Sequence, residues 1–357
     1  MTDSTKEPQL EKAENAIELK EVEGLSQGKI VFRRFIRHKA AMASIIFLTG
    51  IILLAFTSVG IDVGNDDFKI RIPGWWKYDY TQSSEVENRG DPSLDLIPAF
   101  IDGTGVQIGN HPFGQDEIGR DGFARVMRGA QQSIMVMFVI GLVATTIGVV
   151  VGSLAGFYRR WIDQVLMRFT DLVITIPVVV VGAVIGRAVG NLGSFLLAVF
   201  LGLFTWTGLA RLVRGEFLSL REREFVDAAR VAGASNRRII FRHILPNAIG
   251  VVIVNTTLLM SAAILLETGL SFIGFGVRLP DVSLGYLINE NQTAFSTRPW
   301  LFWYPGIFIV SIALCINFIG DGLRDAFDPR QKRLMSDKEK AQKRHRNHSS
   351  KTEKAQA

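Results

Sequence analysis

Residues Glu224–Asn247, with the sequence EFVDAARVAGASNRRIIFRHILPN, lie between two apolar segments of membrane-spanning length and predict a helix, a turn and a second helix. Asp227–Ala229 lies in a run of residues that favour helix. Gly233 follows at the predicted helix end, where glycine readily takes the left-handed conformation. Ser235 is suited to cap a second helix, and Pro246 is suited to the first turn of the next one. A loop that only joins two spans needs no such order, so these residues predict an element that another protein contacts.

The apolar residues of the first of these helices predict its contact face. Phe225, Ala228, Ala229 and Ala232 follow the i, i+3, i+4, i+7 spacing of one helical face. Such a face can lie in a groove of a partner protein. The alternative is a solvated helix at the membrane surface.

The distribution of apolar residues predicts an all-α integral membrane protein. Hydrophobic residues make up 48% of the 357 residues, and four uncharged segments exceed the roughly 20 apolar residues that cross a bilayer. A fifth apolar stretch, Leu172–Ala210, is broken by Gly190–Gly193 and is interpreted as two spans, so six transmembrane helices are predicted. The predicted spans are about 40–60, 131–157, 171–189, 194–211, 246–270 and 302–322.

Basic residues near the span ends predict the orientation, because such residues concentrate on the cytoplasmic side. Clusters of arginine and lysine place both termini and the connection 212–245 in the cytoplasm, and the segment 61–128 outside. Three arginines on the predicted outer side conflict with this orientation, and neighbouring acidic residues offset them locally. The arginines are Arg120, Arg125 and Arg128, and the acidic residues are Asp116, Glu117 and Asp121.

The two ends of the chain differ from the predicted membrane domain, residues 29–335. Residues 1–28 are charged and poor in apolar side chains, which predicts a disordered cytoplasmic leader. Residues 336–357 predict a basic, disordered cytoplasmic tail. No cleavable signal peptide is visible before the first span, which is therefore interpreted as a retained anchor.

Small residues recur along the second span and predict a helix contact, because helices in lipid associate where their backbones approach closely. They are Gly141, Thr145, Gly148, Gly152 and Gly156. We expect the partner helix to belong to the same chain, and the alternative is a second subunit.

The sequence argues against catalysis on this chain. A single cysteine, Cys315, excludes an intrachain disulfide. The five histidines lack metal-ligand spacing, and neither a nucleophile elbow nor a phosphate-binding loop is visible. We expect no metal and no cofactor on this chain, so that a partner must hold any ATP that drives it.

Ionisable residues in or near the spans are candidates for a functional role, because burying a charge in lipid is costly. Glu267 lies near the outer end of the fifth span, where it either lines a path or faces external water. Together with Asp116, Arg120 and Asp121, it forms our set of candidates for a pathway or for external docking.

The loop resembles the EAA motif of permease subunits in ATP-binding-cassette (ABC) importers. Asp227-Ala228-Ala229, Gly233 and His243-Ile244-Leu245-Pro246 match the motif's spacing, with Asp in place of Glu and His243 at a usually apolar position. Three further stretches resemble the C-type dipeptide/oligopeptide permease subunit, namely His111–Ile134, Glu267–Gly285 and Gly320–Arg330. The first of them departs from the usual pattern at Phe113, Gln115, Ala124 and Gln132.

The resemblance implies a type I ABC importer permease fold with a cytoplasmic coupling helix, in the cytoplasmic (inner) membrane of a bacterium. It also implies a homologous second permease, two ATPase domains or subunits that hold ATP and magnesium, an external substrate-binding protein and no nucleic-acid partner. The residues that it assigns to ATPase coupling are Glu224, Asp227, Ala228, Ala229, Arg230, Gly233, Ala234, Ser235, His243 and Pro246.

The function expected from this resemblance is ATP-driven import of di- or oligopeptides by a subunit that is not itself an enzyme. An importer of the same family for nickel, glutathione or another small solute is the main alternative. A stand-alone secondary carrier and a membrane scaffold are further alternatives.

Overall fold

The computed structural model describes residues 27–65, 68–95, 108–189, 193–279 and 281–327, which form helices and one short β-hairpin. The hairpin pairs β1 (Ile61–Asn65) with β2 (Phe68–Ile72) in antiparallel fashion. The helices are α1 (Gln27–Arg37), α2 (Lys39–Ser58), α3 (Gly122–Tyr158), α4 (Arg160–Thr175), α5 (Val178–Val189), α6 (Ser194–Thr205), α7 (Thr207–Leu220), α8 (Glu224–Val231), α9 (Asn236–Phe272), α10 (Leu284–Glu290) and α11 (Trp300–Phe327). Short 3₁₀ turns lie at Asn88–Gly90 and Thr293–Ser296. The predicted tail and residues 1–26 of the predicted leader lie outside the described residues, and residues 27–28 begin α1.

The membrane-spanning helices agree in number with the predicted six when bent pairs are taken together. Helices α2, α3, α9 and α11 are each long and apolar enough to cross a membrane. The pairs α4–α5 and α6–α7, bent by 73° and 45°, meet the same criteria of length and composition only when each pair is taken as one span. Pro177 accounts for the first bend, because proline lacks the amide donor that would continue helix α4.

Several helices extend beyond the predicted spans, because apolar length marks the part inside the membrane and not the helix ends. Helix α3 begins at Gly122 and α9 begins at Asn236. The third span is helical from Arg160, so that the chain turns from α3 into α4 within two residues. Arg159 and Arg160 both have positive φ angles, 56° and 51°, and make this turn without a loop.

Small residues on α3 allow two other helices, α7 and α9, to approach α3 closely. This confirms the prediction that the contact face of α3 meets helices of the same chain. A Cβ atom added at Gly152 would lie 2.5 Å from the carbonyl oxygen of Ala210 in α7. At Gly156 it would lie 2.8 Å from the carbonyl oxygen of Arg214. The same stripe meets α9 further along, where the hydroxyl oxygens of Thr145 and Thr256 lie 2.9 Å apart. Helix α3 is thus packed directly against the backbone of α7.

The described residues divide into two compact units, a larger one within 43–320 and a smaller one that contains 27–42 and 321–327. In the larger unit we call the end that carries residues 61–121 and 273–299 the outer end, and the opposite end the inner end, after the predicted orientation. In the smaller unit, Arg34 donates to the carbonyl oxygen of Ala326 at 3.5 Å. His38 also lies 3.5 Å from Asp325, so that α1 is held against the last turns of α11.

Residues 61–121 at the outer end add the β-hairpin, which the predicted all-α class did not include. Trp76 of this segment packs against Phe123 at the start of α3, with ring centroids 4.5 Å apart. On α3 itself, Gln131 donates to the carbonyl oxygens of Ala55 and Gly60, at 2.8 and 2.6 Å. The described part of the outer segment around Trp76 is therefore packed against the helix bundle.

Candidate functional site

Helix α8 lies at the inner end with one face buried against the bundle. Val226 is fully buried and Ala229 is only 9% exposed. They belong to one apolar cluster with residues of α3, α7 and α9, whose other buried members are Phe157, Leu209, Val213, Phe217, Ile239, Ile240, Ile244, Ala248 and Val252. This cluster joins α8 to α3, α7 and α9.

The turn after α8 has the geometry that the sequence predicts. Gly233 adopts a φ of +77°, and its amide donates to the carbonyl oxygen of Arg230 at 2.9 Å. A Cβ atom added at Gly233 would meet nothing within 4 Å. Glycine is therefore favoured there by the left-handed backbone and not by lack of space. Ser235 then caps α9 by accepting the amide of Arg238 at 3.4 Å, which confirms the predicted start at Asn236.

Helix α9 begins with an irregular turn that fixes its position under α8. Residues Ile239–Ile244 form a π-helical turn, in which hydrogen bonds connect residues five positions apart. Ile239 and Ile244 thereby lie on the same buried face of the helix. The helix that Ser235 caps and the helix predicted to begin near Pro246 are continuous as α9, and Pro246 lies in the first regular α-helical turn after the π-helical turn. Turns of this kind are frequent at functional sites.

The exposed face of α8 differs from the predicted one at two positions. Phe225, Ala228 and Ala232 are exposed as predicted, but Ala229 points into the apolar cluster. The reason is that Val226 and Ala229, three residues apart, together form the buried stripe. Val231, which the spacing argument omitted, is 90% exposed. We call Phe225, Ala228, Val231 and Ala232 the exposed face of α8.

Ion pairs near the inner end connect neighbouring helices. Arg214 of α7 binds both carboxylate oxygens of Asp163 in α4, at 2.5 and 2.7 Å. Such a two-point contact holds both helices in one geometry. The pair of Asp227 with Arg230 on α8, at 2.9 Å, is solvent-exposed and contributes little stability. Both of its members therefore remain available to a partner.

Four charged residues form a closed network at the outer end. Arg120 lies 2.5 Å from Asp116 and 3.0 Å from Glu290, and Arg125 lies 3.0 and 2.6 Å from the same two acids. Burial lowers the pKa of Arg120, but its hydrogen bond and charge interactions with Asp116 and Glu290 outweigh this and raise it overall. Two cations facing two anions explain why Arg120 and Arg125 fit on the predicted outer side despite their charge.

Asp121 and Glu267 are both buried at the outer end. Asp121 caps α3 by accepting the amide of Ala124 at 2.7 Å, and it also contacts His111 at 2.7 Å and the indole of Trp76 at 2.9 Å. Glu267 has no exposed surface, so that in this conformation it faces neither external water nor an open path. Its role as a pathway residue stays a prediction.

Serine hydroxyl groups surround the carboxylate of Glu267. Ser271 donates to Oε1 at 2.6 Å, and Ser133 of α3 donates to Oε2 at 3.0 Å. Ser283 donates to Ser271 at 3.2 Å. Within the described ranges no basic side chain forms an ion pair with Glu267, so hydroxyl groups alone solvate it.

Comparison with known proteins identifies the family. The protein-family model described as "binding-protein-dependent transport system inner membrane component" matches residues 148–333, which include α8 and the turn at Gly233. The chain belongs to this family. A second protein-family model, described as "N-terminal TM domain of oligopeptide transport permease C", matches residues 26–89 of the chain.

Curated relatives match this inner membrane component over most of its length. It is 36% identical over 310 residues to the oligopeptide transport system permease protein OppC of Mycobacterium tuberculosis, which covers 87% of this chain and 97% of that protein. It is 34% identical over 323 residues to the protein of the same name from Haemophilus influenzae, covering 90% and 95% of the two chains. Among solved structures, an inward-facing form of the MetNI methionine ABC transporter matches with 18% identity and a TM-score of 0.47, over 56% of this chain and 95% of that one.

Some residues of the site could not be found by sequence reasoning. Glu290 lies 165 positions from Arg125 in the sequence, and no local pattern relates the two. Phe241 is 61% exposed within the π-helical turn, and the sequence does not distinguish it from the apolar residues beside it. Its apolar neighbours Ile239 and Ile240 are buried, and periodicity alone does not separate these positions.

Proposed function

We propose that this chain is a membrane-spanning permease subunit of an ATP-driven importer of di- or oligopeptides. The observation that carries the proposal is the match to proteins named oligopeptide transport system permease over 87% and 90% of the chain. A second permease of similar fold completes the translocation path. The substrate arrives from an external binding protein, and two ATPase domains or subunits hold ATP and magnesium.

The exposed face of α8 is the proposed contact with an ATPase. It presents apolar side chains at helical spacing on a short helix, which is how a helix lies in a groove of a partner. The exposed charges of Asp227 and Arg230 at 2.9 Å orient the contact. Because Val226 and Ala229 anchor the opposite face, a displacement of α8 by the ATPases is passed to α7 and α9. Such rigid-body movement alternates the path between its inward- and outward-facing forms.

The outer end is the proposed face for the binding protein. Of the predicted docking residues, Arg120 keeps part of its side chain exposed, whereas Asp116 and Asp121 are buried. We infer that Asp116 and Asp121 support this face by holding Arg120 and the outer segment in place. Both termini lie in the cytoplasm in this proposal.

Purification of the chain in mild detergent tests the assembly. Mass spectrometry of the co-purifying proteins should identify a second permease, an ATPase and a substrate-binding protein, and the ligands of the last should be peptides. Purification of the chain alone, with uptake by that single chain in proteoliposomes, would instead favour a secondary carrier. Uptake of labelled dipeptides in a deletion strain, beside uptake of nickel and glutathione, separates the cargo alternatives.

Substitution of Gly233 tests the coupling role of the loop. The variant Gly233→Val should abolish substrate-stimulated ATP hydrolysis by the assembled complex, because a β-branched residue strongly disfavours the left-handed conformation that turns the chain after α8. Amounts of protein in the membrane should stay unchanged. ATP hydrolysis is measured with purified complex in vesicles.

The matched control is Gly215→Val in α7. Gly215 also has open space around an added Cβ, but its backbone is helical and its φ is not positive. The same side chain is thus introduced without the conformational conflict, and coupling should be retained. Normal coupling in Gly233→Val would overturn the assignment of this loop.

A further inference from the structure

Helix α1 carries two parallel stripes of exposed side chains. Lys29, Arg33 and Arg37 are exposed and lie four residues apart, which places them on one side of the helix. Phe32 and Ile36, also four residues apart, form the neighbouring stripe and are 64% and 47% exposed. Helix α1 contains no acidic residue.

A third face of α1 is already occupied by its own chain. Arg34 donates to the carbonyl oxygen of Ala326, and His38, directly after the helix, lies 3.5 Å from Asp325. A Cβ atom added at Gly322 would lie 3.3 Å from the ring of Phe35. These contacts hold α1 in one orientation about its axis. The basic stripe and the apolar stripe therefore both remain exposed.

The position of α1 in the chain decides what meets these stripes. Only His38 separates the last residue of α1 from α2, one of the helices long and apolar enough to cross the membrane, so α1 ends at the membrane surface. A basic stripe beside an apolar one matches that surface when it is anionic: the rings and alkyl groups enter the acyl boundary, and the basic groups meet phosphates. We propose that the exposed face of α1 binds anionic phospholipid at the end of the first span.

The test uses the complete chain, purified with whatever partners it keeps, in vesicles of phosphatidylcholine alone or of phosphatidylcholine with an equal part of phosphatidylglycerol. The variant Phe32→benzoylphenylalanine places a photoreactive group on the apolar stripe. After illumination, mass spectrometry should identify a lipid adduct whose yield rises with phosphatidylglycerol. The variant Ile36→benzoylphenylalanine provides a second position if the first one disturbs packing.

Neutralising the basic stripe should remove the preference for anionic lipid. Each basic residue near an anionic surface contributes about fivefold in affinity, so Lys29→Gln, Arg33→Gln and Arg37→Gln together should weaken binding about 100-fold. The adduct yield should then fall to that found in phosphatidylcholine alone. Raised salt should have a similar, weaker effect because it screens the same charges.

The matched control neutralises three exposed arginines of α9, Arg237→Gln, Arg238→Gln and Arg242→Gln, and changes the net charge by the same amount. The adduct at position 32 should survive in this variant. An equal loss in both triple variants, an adduct to the acidic residues 1–26, or an adduct to a partner protein would each overturn the proposal. It does not rest on the proposed cargo or on the role of α8.

Discussion

The carboxyl group of Glu267 depends on the hydroxyl groups around it, since its side chain has no exposed surface. Ser133 of α3 and Ser271 of α9 each donate to one of its oxygens. Ser271 in turn accepts the amide of Val277 at 3.0 Å, and Ser133 accepts that of Leu284 at 3.2 Å. One buried side chain therefore holds two spans and the segment that follows α9 in a single arrangement.

Replacing Glu267 tests this interpretation. The variant Glu267→Leu leaves the hydroxyl groups of Ser133 and Ser271 without their acceptor, and each unsatisfied buried group costs about 1–3 kcal/mol. We expect a lower unfolding temperature in detergent, measured by intrinsic fluorescence. The variant Glu267→Gln keeps one acceptor oxygen and should lose less. An unfolding temperature of Glu267→Leu at or above that of the unchanged protein would contradict the network.

At the scale of secondary-structure elements, local rules predict the turns better than the faces. Gly233 and Ser235 were predicted correctly because left-handed backbone and helix capping depend on a few adjacent residues. Ala229 was placed on the wrong face, because the choice between two apolar stripes of α8 depends on what α7 and α9 place beneath it. Glu290 joins Arg125 only through the tertiary fold, for the same reason.

The exposed face of α8 provides a prediction at the scale of secondary-structure elements. The variant Val231→Asp places a charge on the most exposed apolar residue of the face, where a partner groove would have to desolvate it. Substrate-stimulated ATP hydrolysis should fall at least about tenfold, with little change in stability because the residue is 90% exposed. The control Ser219→Asp adds the same charge at an exposed position of α7 and should behave as the unchanged protein. Equal losses in both variants would remove the special role of α8.

The contact between α3 and α7 provides another prediction. The variant Gly152→Leu forces a side chain toward the carbonyl oxygen of Ala210, where even a Cβ atom would lie at 2.5 Å. Overpacking of this kind typically costs about 1–3 kcal/mol, and thermal unfolding in detergent should report it. Gly208→Leu is the control, because Gly208 has open space around an added Cβ. A stable Gly152→Leu protein would show that the two helices separate easily.

At the scale of the whole molecule, apolar length predicted six spans, and the described residues have four single-helix spans, or six when each bent pair is taken as one span. These pairs, α4–α5 and α6–α7, are bent by 73° and 45°. The sequence near Pro177 carries the signal for the first bend, whereas no proline lies near Trp206 at the second. The two strands of the β-hairpin do alternate in sequence, and the all-α prediction missed this local signal. The alternating apolar positions are Ile61 and Val63 in β1 and Phe68, Ile70 and Ile72 in β2.

The predicted orientation can be measured with introduced cysteines. The variants Gln82→Cys and Ser349→Cys place thiols in the outer segment and in the tail. A membrane-impermeant maleimide should label Gln82→Cys in intact cells, and Ser349→Cys only after permeabilisation. The native Cys315 is buried and provides a low background. The reverse labelling pattern would invert the assignment of outer and inner ends.

Helix α3 reaches from one end of the larger unit to the other, and its 37 residues extend about 55 Å as a continuous helix. Arg125 near its start belongs to the charged network, and Phe157 near its end belongs to the cluster under α8. If the proposed partners bind at these two ends, thermodynamic linkage makes their influence mutual. By whatever factor ATPase binding changes the affinity for the binding protein, the binding protein must change the affinity for the ATPase by the same factor.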